Sequence, residues 1–83
     1  MSQEKTIQIE YYAILREQRG CPRDSIKTQA DTASDLYQQL KIEHAFSLDQ
    51  KNLKVAINQE IRDWQSQLSD RDTVVFLPPV AGG

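Results

Sequence analysis

Cysteine and histidine are nearly missing: the 83 residues hold one of each, Cys21 and His44. One cysteine excludes an internal disulfide, and the pair alone cannot build a metal site. Cys21 lies in Arg19-Gly20-Cys21-Pro22, a turn in which a thiol is incidental. His44 falls at an expected helix end, near the last carbonyls rather than in a catalytic role. There is also no run of like charge. The 10 basic residues are scattered, the net charge is −2, and no electrostatic footprint for nucleic acid exists. No apolar stretch approaches the ~20 residues a membrane-spanning helix needs. Met1-Ser2-Gln3-Glu4-Lys5 lacks the apolar segment of a secretory leader, which makes the cytoplasm the expected location. Glycine is sparse as well, yet two of the three glycines are the final residues, Gly82 and Gly83.

What is present describes one small globular domain. At this length folding hides only about 60% of the surface that the unfolded chain exposes. A hydrophobic share of 39% and a charged share of 27% are ordinary for such a domain. No repeat, linker or low-complexity segment interrupts it.

Thr6 to Tyr12 alternates apolar and polar residues and predicts a half-buried strand with Ile7, Ile9 and Tyr11 on one face. Ala13 to Gln18 shifts to a helical turn closed by Gly20. A weaker strand spans Asp24 to Thr28, with Ile26 as its strong apolar anchor. Thr32-Ala33-Ser34-Asp35 fits a capping box, and Ala33, Leu36, Tyr37 and Leu40 follow as one apolar helical stripe. That helix ends near His44, with Phe46 and Leu48 pinning the next connection. Leu53 to Ile57 alternates again, Asn58-Gln59-Glu60 turns, and Ile61 to Trp64 returns as a short strand. Leu68 to Asp72 reads as a turn. Thr73-Val74-Val75-Phe76-Leu77 is continuous and β-branched, the pattern of a strand buried on both faces. The expected class is α+β, a mixed sheet of about five strands with one main helix packed across it. Residues 1–77 form the domain and residues 78–83 a tail.

Pro78-Pro79 stops the last strand, because proline cannot donate to a ladder and fixes φ near −65°. From there to Gly83 no side chain is charged or polar. If extended, these six residues reach about 20 Å at 3.3–3.6 Å each. The prolines favour a polyproline-like course, and Gly82-Gly83 let a partner close narrow walls on the backbone. A free carboxylate is a poor acyl donor until it is activated as an acyl-adenylate, after which sulfur or an amine can attack. The same apolar tail can instead fold back on its own sheet.

Three segments carry a family resemblance: Tyr11-Tyr12-Ala13 with Arg16-Glu17; Val55-Ala56-Ile57-Asn58-Gln59; and Leu68-Ser69-Asp70 with Asp72, leading through Val74 to Phe76-Leu77-Pro78-Pro79-Val80-Ala81-Gly82-Gly83. The chain resembles the MoaD/ThiS-like ubiquitin-fold family, in particular the small, sulfur-carrying subunits of molybdopterin synthase. The resemblance implies a ubiquitin-like β-grasp fold. It implies that an E1-like adenylating enzyme consumes ATP to adenylate the Gly83 carboxylate, which becomes a thiocarboxylate. The sulfur then goes to cyclic pyranopterin monophosphate in molybdenum cofactor biosynthesis. The partner is the large synthase subunit, in a heterotetramer of two large and two small subunits. The small subunit binds no cofactor or metal and lends no catalytic pocket, the active site lying mainly on the large subunit.

By the same resemblance Gly83 carries the reacting group and Gly82 clears the way for threading. Val80 and Ala81 contact the tunnel wall, and Pro78 and Pro79 hold the tail away from the sheet. Phe76 is either core strand or partner contact, and Arg16 either pairs with a partner or stays solvated. Two departures stand out. Arg71 occupies the turn position where this family commonly has glycine, so it is either in a strained left-handed conformation or in a different turn type. Ala81 replaces a position often held by threonine. Other readings share the Gly-Gly end: a ubiquitin-like protein modifier, a thiamine-pathway sulfur carrier, and a β-grasp binding module without covalent chemistry. The thiamine carriers are generally shorter and lack the double proline.

Overall fold

The computed structural model describes residues 3–79. Strand β1 (Lys5–Tyr11) leads into the short helix α1 (Ala13–Arg19), β2 (Arg23–Thr28) and the main helix α2 (Ala33–His44). A single 3-10 turn at Gln50–Asn52 precedes β3 (Lys54–Ile57), β4 (Glu60–Arg62) and β5 (Thr73–Leu77). The five strands form one sheet in the order β2-β1-β5-β3-β4. β5 lies at its centre, parallel to β1 and antiparallel to β3.

The alternation read in β1 puts Ile7, Ile9 and Tyr11 on the core face, all essentially inaccessible. The helical stripe Ala33, Leu36, Tyr37 and Leu40 packs onto that face. Thr32 caps α2 by accepting the Asp35 N–H at 3.1 Å, the threonine half of the capping box. No return bond from the Asp35 side chain forms among the described residues; Thr32 instead makes a β-bridge with Gln67. Gly20 closes α1 at φ 88°, the left-handed position that glycine adopts without a Cβ clash. Gln18 then clamps α1 to the loop after α2, donating to Ser47 Oγ at 2.9 Å and accepting the Ser47 N–H at 3.1 Å.

Three expectations are corrected. β5 is buried on one face only: Val74 and Phe76 are covered, while Thr73, Val75 and Leu77 are half-buried. The buried residues of both helices join one cluster with Val74 and Phe76, and the opposite face of β5 has only the side chains of adjacent strands beside it. The return strand is Glu60–Arg62, not Ile61 to Trp64. Asp63 ends it by accepting backbone N–H groups from Gln65 at 2.8 Å and Ser66 at 3.0 Å, which turns Trp64 inward. Glu60 is correspondingly in the strand, since Asn58 and Gln59 alone make the turn, both at positive φ (52° and 73°).

Candidate functional site

The end of β5 positions everything the tail depends on. Its start is fixed by a knot of short-side-chain hydrogen bonds. Asp70 Oδ1 accepts the Thr6 N–H at 2.7 Å, and the Arg71 N–H donates to the Thr6 carbonyl at 2.7 Å. Asp72 accepts the Ser69 N–H at 2.7 Å and the Asn58 side-chain amide at 2.9 Å. The Asn58 side-chain oxygen accepts the Thr73 N–H at 2.9 Å. One turn thus ties the first residue of β5 to β1 and to the β3–β4 hairpin. Arg71 takes the left-handed alternative, at φ 70°, with its side chain 89% exposed and only a 3.9 Å contact to Asp70.

Along β5, Phe76 faces the core and is fully buried. It lies parallel to Trp64 with centroids 6.0 Å apart and edge-on to Tyr37 at 5.1 Å. A side chain enclosed in this way offers no surface to a partner, so the contact role for Phe76 is corrected to a core role. The ladder to β1 ends at Phe76, whereas the ladder to β3 continues one residue further, pairing Leu77 with Lys54. Pro78, half-buried, and Pro79, exposed, follow in no regular element. Val80, Ala81, Gly82 and Gly83 lie outside the described residues.

Beside the tail root a groove of about 620 Å³ opens between the 3-10 turn and the end of β5. Leu53, Leu77, Pro78 and Pro79 line it with apolar surface, and Lys51 and Lys54 stand along it. Sequence reasoning did not single out these lysines. The available signal was register: a hairpin partner of the last strand necessarily sets residues beside the tail, and Lys54 is opposite Leu77.

Several titratable groups away from the groove are tied into the fold. Arg19 grips Asp24 through two bonds, of 2.7 and 2.9 Å, and Tyr11 Oη donates to the same carboxylate at 2.9 Å. The Arg19 hydrogen bond holds the Asp24 carboxyl below the usual carboxylate range against the opposing effect of burial. Burial, then Asp24, raise the Tyr11 phenol. Burial likewise pushes Tyr37 up to about 12, while its hydroxyl donates to the Leu48 carbonyl at 2.6 Å. Cys21 Sγ sits 3.2 Å from the Arg23 carbonyl, and His44 lies 5.5 Å from the Phe46 ring. No group of three or more metal-binding side chains forms among the described residues. Arg16 is exposed and makes no ion pair among them. No helix among them is long and apolar enough to cross a membrane.

Residues 9–83 match the ThiS family. The molybdopterin synthase sulfur carrier subunit of Escherichia coli (strain K12) is 30% identical over 80 residues, covering 93% of this chain and 99% of that protein. Among solved structures, small archaeal modifier protein 1 from Methanosarcina acetivorans aligns with a TM-score of 0.77 at 21% identity, covering 98% of this chain and 99% of that one. A chain in the complex of subunits 1 and 2 of molybdopterin-converting factor from Helicobacter pylori 26695 aligns with a TM-score of 0.64 at 20% identity, covering 94% and 99%. At those identities the structural likenesses speak for the fold, which is the ubiquitin-like β-grasp.

Proposed function

This chain belongs to the ThiS family, and we propose that it serves as the small, sulfur-carrying subunit of a molybdopterin synthase. The observation that carries this reading is the 30% identity to the Escherichia coli sulfur carrier subunit, which spans nearly the full length of both chains. The double proline and Gly-Gly end supply the chemistry that the role needs.

In this reading a Gly83 carboxylate oxygen attacks the α-phosphorus of ATP on an E1-like adenylating enzyme, and pyrophosphate leaves. Sulfide-level sulfur then attacks the acyl carbon and AMP departs, leaving a thiocarboxylate; sulfur delivered as a persulfide first gives an acyl disulfide, which a thiol cleaves to the same product. The glycines matter because the reacting carbon has to reach the floor of a narrow channel, and a Cβ at Gly82 widens the chain there. Val80, Ala81, Pro78 and Pro79 contact the channel and its mouth. The large subunit, two copies with two of this chain, supplies the residues that bind cyclic pyranopterin monophosphate. The small subunit needs no bound cofactor; the sulfur on Gly83 is its cargo. A cytoplasmic setting suits the partners.

Intact-mass measurement after incubation with ATP, a sulfur source and the adenylating enzyme tests this. The expected result is replacement of one oxygen by sulfur, localised to Gly83. A chain extended by one non-cleavable residue past Gly83 should fold normally and gain no sulfur. Gly83 joined to lysines of other proteins, without sulfur gain, moves the reading to a protein modifier. An unchanged mass with demonstrably active enzyme overturns covalent chemistry altogether.

A further inference from the structure

Cations elsewhere in this fold are mostly neutralised. Lys5 contacts Asp31, Arg19 holds Asp24, Arg23 faces Glu10, Lys41 binds Asp49, Arg62 pairs with Glu60, and Arg71 lies near Asp70. Of the 10 basic side chains, four make no ion pair among the described residues: Arg16, Lys27, Lys51 and Lys54. Two of those four stand on one groove, against a chain whose net charge is −2. The nearby carboxylate of Asp49 is already engaged by Lys41, whose hydrogen bond is the main reason it sits below the usual range; Lys51 adds only the weakest of the contributions, a charge acting without an ion pair.

We propose that the groove beside Pro78-Pro79 receives a short acidic segment, flanked by apolar side chains, on the protein that accepts the tail, with Lys51 and Lys54 taking its carboxylates. The inference rests on the sulfur-carrier reading above and names where that partner holds the domain. Distance places the groove close to that partner. Four residues separate Pro79 from the terminal carbon, at most about 14 Å of chain at 3.3–3.6 Å per residue. A partner that acts on Gly83 therefore stands within that reach of Pro79, with the groove among the surfaces nearest to it. Leu53, Leu77 and Pro78 offer it apolar floor, and the two lysines set the sign of charge that fits. Opposite charges at such a rim govern encounter rate, register and salt dependence.

The test is titration of the full chain into the purified large molybdopterin synthase subunit of the same organism, across a range of salt concentrations. Lys51→Glu/Lys54→Glu is compared with the unaltered chain. Both lysines are exposed, so the variant should keep its unfolding midpoint. Expected are a loss in affinity of about tenfold or more and a flatter salt dependence, since two attractions become repulsions. Equal affinity and equal salt slope in a folded variant overturn the groove while leaving the carrier reading intact. Carbodiimide coupling of the Gly83 carboxylate to Lys51 or Lys54 within the free chain, together with equal affinity, also overturns it and makes the tail the occupant. No binding by the unaltered chain overturns the parent reading and this inference with it.

Discussion

Phe76→Ala separates the two roles that the sequence left open for this residue. In the structure the ring is inaccessible, parallel to Trp64 and edge-on to Tyr37 at 5.1 Å, with Val55 beside it across the β3–β5 ladder. Truncation removes the transfer energy of a phenyl group and leaves a cavity between strand and helix, for about 3–5 kcal/mol in all. A domain of this length has roughly 4–12 kcal/mol to lose, at about 0.05–0.15 kcal/mol per residue. The change therefore takes about a quarter of the stability or more. At about 4–8 °C per kcal/mol for a domain of this size, Tm falls by roughly 12–40 °C.

Chemical denaturation followed by tryptophan fluorescence measures this directly, since Trp64 is the one tryptophan and lies against the ring in question. The midpoint should drop sharply with little change in slope, because the surface exposed on unfolding is nearly the same. Phe76→Leu should recover much of the loss. A Phe76→Ala midpoint equal to that of the unaltered protein, with weakened partner binding, refutes the core assignment and restores Phe76 to an interface.

Arg71→Gly removes a side chain from a left-handed position where its only ion-pair contact is long and exposed. Relief of about 1–2 kcal/mol, less about 0.4–1 kcal/mol of entropy that glycine loses on folding, should raise Tm by up to several degrees; a clearly lower Tm in scanning calorimetry shows that Arg71 is not strained. Stability against pH should form a plateau with two falling limbs. Asp24 is depressed in the folded state, so its contribution is complete above about pH 4 and is lost as pH falls through the lower folded value; Asp24→Asn should flatten that acid limb. Tyr11 and Tyr37 are raised, so their contribution is complete below about pH 10 and is lost as pH climbs. Tyr37→Phe should shrink the alkaline limb, and a limb of unchanged steepness contradicts the burial of that phenol.

Sequence pattern carried furthest where one face decides. Ile7, Ile9 and Tyr11 repeat at two and Ala33, Leu36, Tyr37 and Leu40 at three and four, and every one of them is buried. Pattern failed where a second layer had to be inferred. The run Thr73 to Leu77 is apolar on both faces, but only Val74 and Phe76 meet the helices. Its outer face is continuous instead with Ala56 on β3 and with Ile61 on β4, which is 59% exposed. A continuous apolar run shows that a strand is central, and cannot show whether a protein layer or open surface lies beyond. The end of β4 was misplaced for a local reason, the Asp63 side chain capping a turn that hydrophobicity does not register. The surroundings of Pro78 and Pro79 were not legible: Lys51 is distant from them in sequence, and the β3–β5 pairing brings its neighbourhood to theirs.

That pairing also explains why the tail belongs on β5 rather than on an edge. An edge strand is held by one ladder and bends freely on its open side. β5 is held from both sides, by β1 as far as Phe76 and by β3 as far as Leu77. Its first residue is anchored through Asn58, while the preceding turn is bound to Thr6. Phe76 adds an aromatic anchor one residue before the last ladder pair. Pro78 then removes the next backbone donor, so the ladder stops at a residue fixed by chemistry rather than fraying. Position and direction at Leu77 are thus set by the whole sheet. If the proposed carrier role holds, the terminal carbon has to arrive at one point in a partner, and the strand that leads to it is the one held by ladders on both sides.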